Sequence, residues 1–312
     1  TADAMLQRWG CGTLQSLALG DAACKKAIVD GGSVAAVVAA IGQHAADAVL
    51  QRYGCSALAI LASGNAACKQ SVVDGGGVAA VVAAMGQRTA DAVLQGYGCG
   101  ALGNLASGDA ACKQAVVDGG GVATVVAAMG QHTADVKLQH YGCGALRDLT
   151  CGDAVCKQAV VDARGVAAVV AAMGPHTADV QLQRYGCVAL WNLASGGAAC
   201  QQAVVDGGGV AAVVAAMGQH TAVVQLQRSG CVALAILALG DAACKQAVVD
   251  GGSVAAVVAA MGQHTADAVL QLSGCGALGN LARGDAACKQ AVVDGGGVAA
   301  VVAAMGQHTA DA

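Results

Sequence analysis

Several residue types are scarce or absent in this 312-residue chain. It has no Phe and no Glu, a single Pro at Pro175, and only 2% aromatic residues. Charged residues amount to 12%, about half of the roughly 25% that is usual in soluble domains. Hydrophobic residues nevertheless reach 56%, mostly as Ala and Val. Because disorder requires low hydrophobicity and high charge, this composition excludes an intrinsically disordered chain.

Long apolar runs are also absent. A membrane-spanning helix needs roughly 18 or more apolar residues in succession, and the run from Val34 to Ile41 is followed at once by Gly-Gln-His. The first ten residues lack the basic start and apolar core of a signal peptide. We therefore expect no membrane span. The odd count of 15 cysteines, without a secretory signal, favours a reducing compartment, either cytoplasmic or nuclear.

The chain does contain an internal repeat with a period of 44 residues. A period of this length is typical of helical solenoids, so we expect one solenoid domain over residues 1–312. Because the last four residues match the start of a further repeat, we also expect the chain to be part of a longer array. The repeats span 1–44, 45–88, 89–132, 133–176, 177–220, 221–264 and 265–308, and 309–312 begin the next.

Each repeat has the pattern of three helices, as the third one illustrates. Thr89 or Asp91 can cap a first helix, whose apolar positions continue at helical spacing through Ala106. A short second helix is predicted over Lys113–Val117 and a third, apolar on nearly every side, over Val122–Met129. The Val-rich segments lack the period-two alternation of a parallel β-solenoid. The sequence therefore predicts an all-α chain.

Three segments of this repeat resemble the armadillo repeat: Leu105–Gly108, Lys113–Gly120 and Val122–Val126. The family pattern is an Asn-Ile/Leu-Ala-Ser-Gly turn, a Lys-Gln-Ala-Val-Val helix, a glycine pair and an apolar helix. The resemblance recurs seven times, although Ala replaces the usual Pro before the apolar helix. It implies a right-handed α-solenoid, a superhelix of three-helix repeats, with HEAT repeats as the alternative. Armadillo phasing gives a lone long helix over 1–20, six complete repeats over 21–284, and two helices of a seventh over 285–308.

Comparison of the seven repeats separates fixed positions from varied ones. The second and third helices are almost invariant, whereas variation concentrates at repeat positions 5, 8, 9, 12, 15, 16 and 19 of the first helix. Spacings of three and four place these positions on one side of the helix, which we call the varied face. The armadillo resemblance implies that this face lines a concave groove. In importin-α-like members, a Trp and an Asn there hold an extended peptide, and they correspond to positions 12 and 16.

The varied face has a distinctive composition. It holds all six aromatic residues and six of the eight arginines, and with one Lys and one Asp its net charge is +6, against −4 for the whole chain. Such polarity favours acidic partners, and Tyr, Trp and Arg are enriched at binding hot spots. The candidate groove residues are Arg8, Trp9, Arg52, Tyr53, Tyr97, Asn104, Lys137, His140, Tyr141, Arg147, Asp148, Arg184, Tyr185, Trp191, Asn192, Arg228, Asn280 and Arg283.

These residues predict a binding protein and not an enzyme. The family Trp at position 12 is Gly, Ser or Val in every repeat, and the face is basic, so an acidic extended peptide fits better than the basic peptide of importin-type members. Members similar to β-catenin have such a basic groove. One alternative is a solvated face that varies without a ligand. Others are single-stranded nucleic-acid binding through stacking and Arg contacts, and an assembly module whose copies stack end to end.

The cysteines, histidines and glycines predict no chemistry of their own. Cysteines recur at positions 11 and 24, with Cys151 as the extra one, but there is no Cys-x-x-Cys pair for zinc, so we expect small buried thiols. The histidines at position 44 occur once per repeat and are expected to be solvated turn residues. The glycines at 119–121 lack the Gly-Lys-Ser/Thr of a P-loop. We therefore expect no cofactor, no metal and no catalytic site.

Overall fold

A computed structural model describes residues 2–107, 109–284 and 286–307, which form 21 α-helices and no strand. The chain divides into two compact units, Thr1–Gly165 and Val166–Ala312, here called the N-terminal half and the C-terminal half. Within the described ranges, no single helix has the length and apolar character of a membrane span. Three pairs of consecutive helices, bent by 63° to 65°, meet those criteria of length and composition only as pairs.

In the N-terminal half, each repeat supplies a long, a short and an apolar helix in that order. The long helices are α1 (Ala2–Ala18), α4 (Ala48–Ala62), α7 (Ala92–Ala106) and α10 (Val136–Leu149). The short helices are α2 (Ala22–Asp30), α5 (Ala66–Asp74), α8 (Ala110–Asp118) and α11 (Ala154–Asp162). The apolar helices are α3 (Ser33–Gln43), α6 (Gly77–Gln87) and α9 (Gly121–Gln131).

After the apolar helix of the fourth repeat, which begins at Gly165, the C-terminal half follows the same order. Its long helices are α13 (Val180–Ala194), α16 (Val224–Leu237) and α19 (Ala268–Ala282), and its short helices are α14 (Ala198–Asp206), α17 (Ala242–Asp250) and α20 (Ala286–Asp294). The apolar helices are α12 (Gly165–Met173), α15 (Gly209–Gln219), α18 (Ser253–Gln263) and α21 (Gly297–Gln307). The repeat boundaries themselves stay a prediction. The start of a further repeat at 309–312 lies outside the described residues, as do positions 285 and 308 of the last armadillo segment.

Aspartates and glycines set the helix boundaries. Asp91 Oδ1 accepts a hydrogen bond from Leu94 N at 3.1 Å, and Asp109 Oδ1 accepts one from Cys112 N at 3.0 Å, so each side chain caps a helix. Gly120 has φ of 75°, the left-handed conformation that turns α8 into α9. Capping extends α8 beyond the predicted five residues, and α9 likewise begins one residue earlier and ends two residues later than predicted.

The core combines the invariant positions of the stacked long helices with Val and Met side chains of the short and apolar helices. In the N-terminal half α1, α4, α7 and α10 pack in succession, and in the C-terminal half α13, α16 and α19 do. Leu94, Cys99 and Leu102 are completely buried. Burial raises the pKa of the Cys99 thiol to about 12, which makes it inert near neutral pH. The prediction of buried thiols is confirmed at most positions, whereas Cys24 and Cys151 are exposed.

A buried glutamine at repeat position 7 joins consecutive repeats. Gln95 Nε2 donates to Met85 O at 2.7 Å and to Arg88 O at 3.1 Å, the last carbonyl groups of the preceding apolar segment. This arrangement satisfies backbone groups that a helix end leaves unpaired. It explains why position 7 is Gln in every repeat. The same pair of bonds is made by Gln51, Gln139, Gln183, Gln227 and Gln271.

The histidines at position 44 also have a structural role. His132 Nε2 lies 2.6 Å from Thr89 O, and His264 Nε2 lies 2.7 Å from Thr221 O, so Nε2 carries the proton. Arg88 takes the same place and donates to a backbone carbonyl one repeat earlier. These hydrogen bonds lie at exposed turns, as expected, and they also tie successive turns together.

Candidate functional site

Burial along the long helices agrees with the varied face. From α4 to α16 the fixed Leu, Cys and Ala positions are buried, and most varied positions are exposed or half-buried. Trp9 is 72% exposed and Tyr53 is 41% exposed. Glycine and serine account for most of the exceptions, with Ser56, Gly96 and Gly103 buried on this side of their helices. The aromatic side chains therefore lie where a partner could contact them.

The tyrosines also pack on the preceding long helix. A Cβ atom built on Gly96 would lie 3.6 Å from Tyr141 Cδ2, and one built on Gly100 would lie 3.8 Å from Tyr141 Cδ1. The Tyr53 ring lies against Gly12 in the same way, at 4.0 Å. Each ring thus has one side on the scaffold, which holds it in place, and a remaining part open to solvent. Such a fixed, half-exposed aromatic ring loses little entropy when it binds a ligand.

Arginines at position 8 pair with the aspartate that caps the next long helix. Arg52 Nε donates to Asp91 Oδ2 at 2.8 Å and to Oδ1 at 3.1 Å. Arg8 pairs with Asp47 at 2.5 Å, and Arg228 Nε donates to Asp267 Oδ1 at 2.9 Å. Three of the seven positive charges counted on the varied face are therefore matched by carboxylates beside it. The sequence count of +6 overstates the positive charge that a ligand would meet.

These pairs also shift the ionisation of the carboxylates. The hydrogen bond from the Arg228 guanidinium holds the pKa of Asp267 below its ordinary value. At Asp91, burial raises the pKa, but the hydrogen bonds from Arg52 and from Leu94 N outweigh it, so the pKa is again lowered. The aspartates therefore serve twice, as helix caps and as counter-ions.

Arg184 differs because its counter-ion is missing. The corresponding cap position before α16 holds Val223, which makes no side-chain capping bond. Arg184 Nε donates only to Gln181 Oε1, at 3.2 Å, and its guanidinium carbon lies 5.3 Å from the Tyr185 ring centroid. Among the described residues, no carboxylate pairs with Arg184. It presents a half-buried guanidinium beside an aromatic ring, an arrangement suited to a carboxylate ligand.

Arg147 and Asp148 form a local pair. Arg147 Nε donates to Asp148 Oδ1 and Arg147 Nη2 to Oδ2, each at 2.9 Å. Burial nevertheless raises the pKa of Asp148, because the loss of hydration outweighs Arg147 and the nearby Lys113 and Lys69. This part of the varied face is therefore close to neutral. Nearby, the rings of His140 and Tyr141 meet edge to face at 5.8 Å.

The asparagines at position 16 bind the scaffold. Asn104 Nδ2 donates to Ala59 O at 2.8 Å, and Asn280 Nδ2 donates to Ala235 O at 2.9 Å, in each case on the preceding long helix. Arg283 Nη1 in turn donates to Asn280 Oδ1 at 3.3 Å. The amide donors expected to hold a peptide backbone are thus engaged within the protein. Binding of a peptide through the asparagines stays a prediction.

The candidate residues fall into two groups, one in each half. The N-terminal group comprises Arg8, Trp9, Arg52, Tyr53, Tyr97, Asn104, Lys137, His140, Tyr141, Arg147 and Asp148, on α1, α4, α7 and α10. The C-terminal group comprises Arg184, Tyr185, Trp191, Asn192, Arg228, Asn280 and Arg283, on α13, α16 and α19 or at its end. Sequence comparison missed the counter-ions at position 3. The signal available for them was that this position departs from Asp in the repeat after Arg184.

Comparison with known proteins identifies solved structures that share this architecture. No protein-family model and no curated protein matches the sequence. An engineered protein solved by the Northeast Structural Genomics Consortium is 32% identical; the match covers 97% of this chain and 71% of that one, with a TM-score of 0.85. A designed armadillo repeat protein in complex with the peptide (KR)4 is 18% identical, covering 79% of this chain and 98% of that one, with a TM-score of 0.67.

A third structure, of computationally designed armadillo repeat proteins for modular peptide recognition, is 17% identical. The match covers 79% of this chain and 99% of that one, with a TM-score of 0.66. The helix order, the long-helix core and these similarities agree on an α-solenoid. The chain has the armadillo-like fold of these helical repeat proteins.

Proposed function

We propose that the chain is a non-enzymatic scaffold that binds an extended peptide along the varied face, and that an acidic residue of this peptide pairs with Arg184. The fold supports the first part, since it is shared with armadillo proteins designed for modular peptide recognition. The second part rests on one observation. Arg8, Arg52 and Arg228 each pair with an aspartate, whereas the equivalent position opposite Arg184 holds Val223.

The difference in pairing decides which arginines can bind a ligand. A peptide carboxylate that approached Arg228 would compete with Asp267, already bound through Nε and Nη2. At Arg184 it would displace only water and the weak bond to Gln181. A hydrogen bond between charged groups contributes roughly 1.5–3 kcal/mol, so this one contact can change affinity by tenfold or more. The same pairing leaves little free positive charge for a nucleic-acid backbone, which disfavours that alternative.

Two single variants with the same change in charge test this assignment. Binding of a fluorescently labelled oligo-glutamate peptide would be followed by anisotropy at low salt for the wild type, Arg184→Gln and Arg228→Gln. We expect Arg184→Gln to weaken binding by about tenfold or more, from the magnitude above, and Arg228→Gln to change it by less than about threefold. Equal weakening by both variants would show a general charge effect and would contradict a site at Arg184. No binding by the wild type would contradict the acidic ligand.

End-to-end self-association is a second candidate, favoured by two exposed apolar surfaces. Leu6 on α1 is 67% exposed, whereas the same repeat position is completely buried at Leu50 and Leu94. Met305 on α21 is likewise 67% exposed, whereas Met85 is 1% exposed. These surfaces correspond to the ones that neighbouring repeats bury against each other, so a second copy could cover them.

Sedimentation over a range of concentrations tests this candidate. We expect the average mass to rise with concentration and the Leu6→Asp variant to remove the rise, since a buried charge at this contact would be strongly unfavourable. The exposed Leu239→Asp, in the C-terminal half, serves as the matched control. A monomer mass that is independent of concentration would reject self-association.

A further inference from the structure

In the N-terminal half, a second ion pair of this kind is incomplete because the position-8 arginine, and not the aspartate, is missing. Where α1 and α4 carry Arg8 and Arg52, α7 carries Gly96. Asp135, the cap of α10, therefore lies opposite a helix that offers it no arginine. Its Oδ1 accepts a hydrogen bond from Leu138 N at 2.9 Å. In the described part of the chain, no Lys, Arg or His forms an ion pair with Asp135.

A pocket opens where the arginine side chain is missing. It has a volume of about 60 Å³ and is lined by Gly96, Tyr97, Asp135, Lys137 and Tyr141 together with three apolar residues of α7 and α10. A Cβ atom on Gly96 would meet only the Tyr141 ring, at the ordinary contact distance of 3.6 Å. The pocket therefore has room for a group of a few heavy atoms, with a carboxylate and two aromatic side chains among its walls.

We propose that this pocket binds a guanidinium group, supplied by an arginine side chain of the bound peptide. The neighbouring repeat shows how such a group is held, since Arg52 donates to both carboxylate oxygens of Asp91. A ligand arginine would likewise donate to the Asp135 carboxylate, and its planar group would stack on a tyrosine ring. The peptide source rests on the proposed function, whereas the chemistry of the pocket does not.

Lys137 is the one cationic side chain in the pocket wall. It is exposed and makes no ion pair with Asp135 in the described structure. A lysine that competes for the carboxylate would weaken guanidinium binding, whereas a lysine that bound an anionic ligand would be required for binding. Removal of Lys137 therefore separates the guanidinium assignment from an anion site.

The test uses a short, labelled peptide whose single charged side chain is an arginine, and the same peptide with citrulline, a neutral side chain of the same shape. Anisotropy gives the affinities, and ring chemical shifts of Tyr97 and Tyr141 report the place of binding. We expect the arginine peptide to bind at least about tenfold more tightly than the citrulline peptide, from the strength of a charge-assisted hydrogen bond, with shifts at both tyrosines. Equal affinities for the two peptides would overturn the proposal.

Four variants complete the experiment. Asp135→Asn keeps a helix cap but loses the charge, and Gly96→Arg fills the pocket with the chain's own guanidinium, so both are expected to abolish the preference for arginine. Gly96→Ala leaves the pocket open and is expected to keep the preference, and Lys137→Met is expected to keep or strengthen it. Arginine binding by Gly96→Arg as tight as that of the wild type, or loss of binding in Lys137→Met, would overturn the assignment.

Two further comparisons locate the source of the ligand. Binding of N-acetyl-arginine amide as tight as that of the peptide would reject the peptide source and assign the pocket to small guanidinium compounds. Oligo-glutamate binding at Arg184 is measured separately, in the other half of the chain. Failure of arginine binding with intact oligo-glutamate binding would therefore reject the pocket alone, and the reverse result would reject only the acidic ligand.

Discussion

Replacing Val223 by Asp should complete the ion pair that Arg184 lacks. The equivalent aspartates before α4, α7 and α19 each cap a long helix and pair with the position-8 arginine of the preceding repeat. α16 begins at Val224 with no side-chain cap. We therefore expect Val223→Asp to accept a hydrogen bond from Leu226 N and to bind the Arg184 guanidinium, as Asp267 does for Leu270 N and Arg228.

The magnitude follows from the parts of this change. A helix cap contributes typically about 1 kcal/mol, and a partly exposed ion pair adds roughly 0.2–1 kcal/mol. Against this, Val223 is half-buried, and the loss of its apolar contacts costs part of the roughly 1.5–3 kcal/mol assigned to a fully buried side chain. The free energy of unfolding should therefore rise by about 0.5 kcal/mol, taking about half of that apolar term.

Two measurements check this gain. Urea unfolding followed by circular dichroism gives the change in stability, and amide exchange at Leu226 gives the local change, which is needed because repeat arrays need not unfold in one step. Val223→Asn caps the helix without an ion pair, and Val223→Asp combined with Arg184→Gln isolates the pair in a double-mutant cycle. Zero coupling between the two sites would refute the pairing rule. Oligo-glutamate affinity should fall by about tenfold in Val223→Asp, since the pair would compete with the ligand.

Three further changes test the scaffold. Arg164 is exposed and has φ of 63°, where the other repeats have Gly. Arg164→Gly should therefore raise the free energy of unfolding in urea by about 0.5–1 kcal/mol, and Gly120→Arg should lower it. Equal stabilities of the variants and the wild type would refute the argument from backbone strain. Asp148 has a raised pKa in the folded state, so its ionisation opposes folding as pH rises above the unfolded-state pKa of about 3.9. Asp148→Asn should therefore be more stable than the wild type at pH near 7, and the difference should shrink below pH of about 4. A difference in stability that is independent of pH would contradict this. Asp267 has a lowered pKa in the folded state, so its contribution to stability is present above pH of about 4 and is lost as pH falls through that lower pKa. Arg228→Gln should therefore reduce the loss of stability in acid. An unchanged dependence of stability on pH would reject the ion pair as the cause of that loss.

The fold could be read from the sequence because its signals are local. A cap such as Asp91, a glycine such as Gly120 and apolar spacing act within a few residues of where they stand, and seven copies average out the ambiguities of each one. The helix order and the separation of buried from varied positions were therefore predicted correctly. The short helices were predicted too short at their amino ends, where the first turn, Ala110 to Cys112 in α8, follows the capping Asp109 directly.

The contacts between repeats could not be predicted from the sequence. Arg52 and Asp91 are 39 residues apart, and each has a complete local explanation, one as a solvated side chain and the other as a helix cap. Only the stacking of α4 on α7 brings them together. The hydrogen bond of Asn104 was missed for the same reason, since Ala59 O on the adjacent long helix accepts its amide. Long-range register, and not residue chemistry, was the missing information.

The two broken pairs carry opposite charges, which gives them a common test. Gly96 leaves the carboxylate of Asp135 open, and Val223 leaves the guanidinium of Arg184 open. A charge kept without its partner lowers stability and is compensated when a ligand supplies the partner. If the breaks serve binding, Gly96→Arg and Val223→Asp should each gain stability and lose one class of ligand, arginine for the first and glutamate for the second. If both variants gain stability while both ligands bind as before, the breaks are neutral variation of the repeat, and the varied face must bind through its aromatic side chains instead.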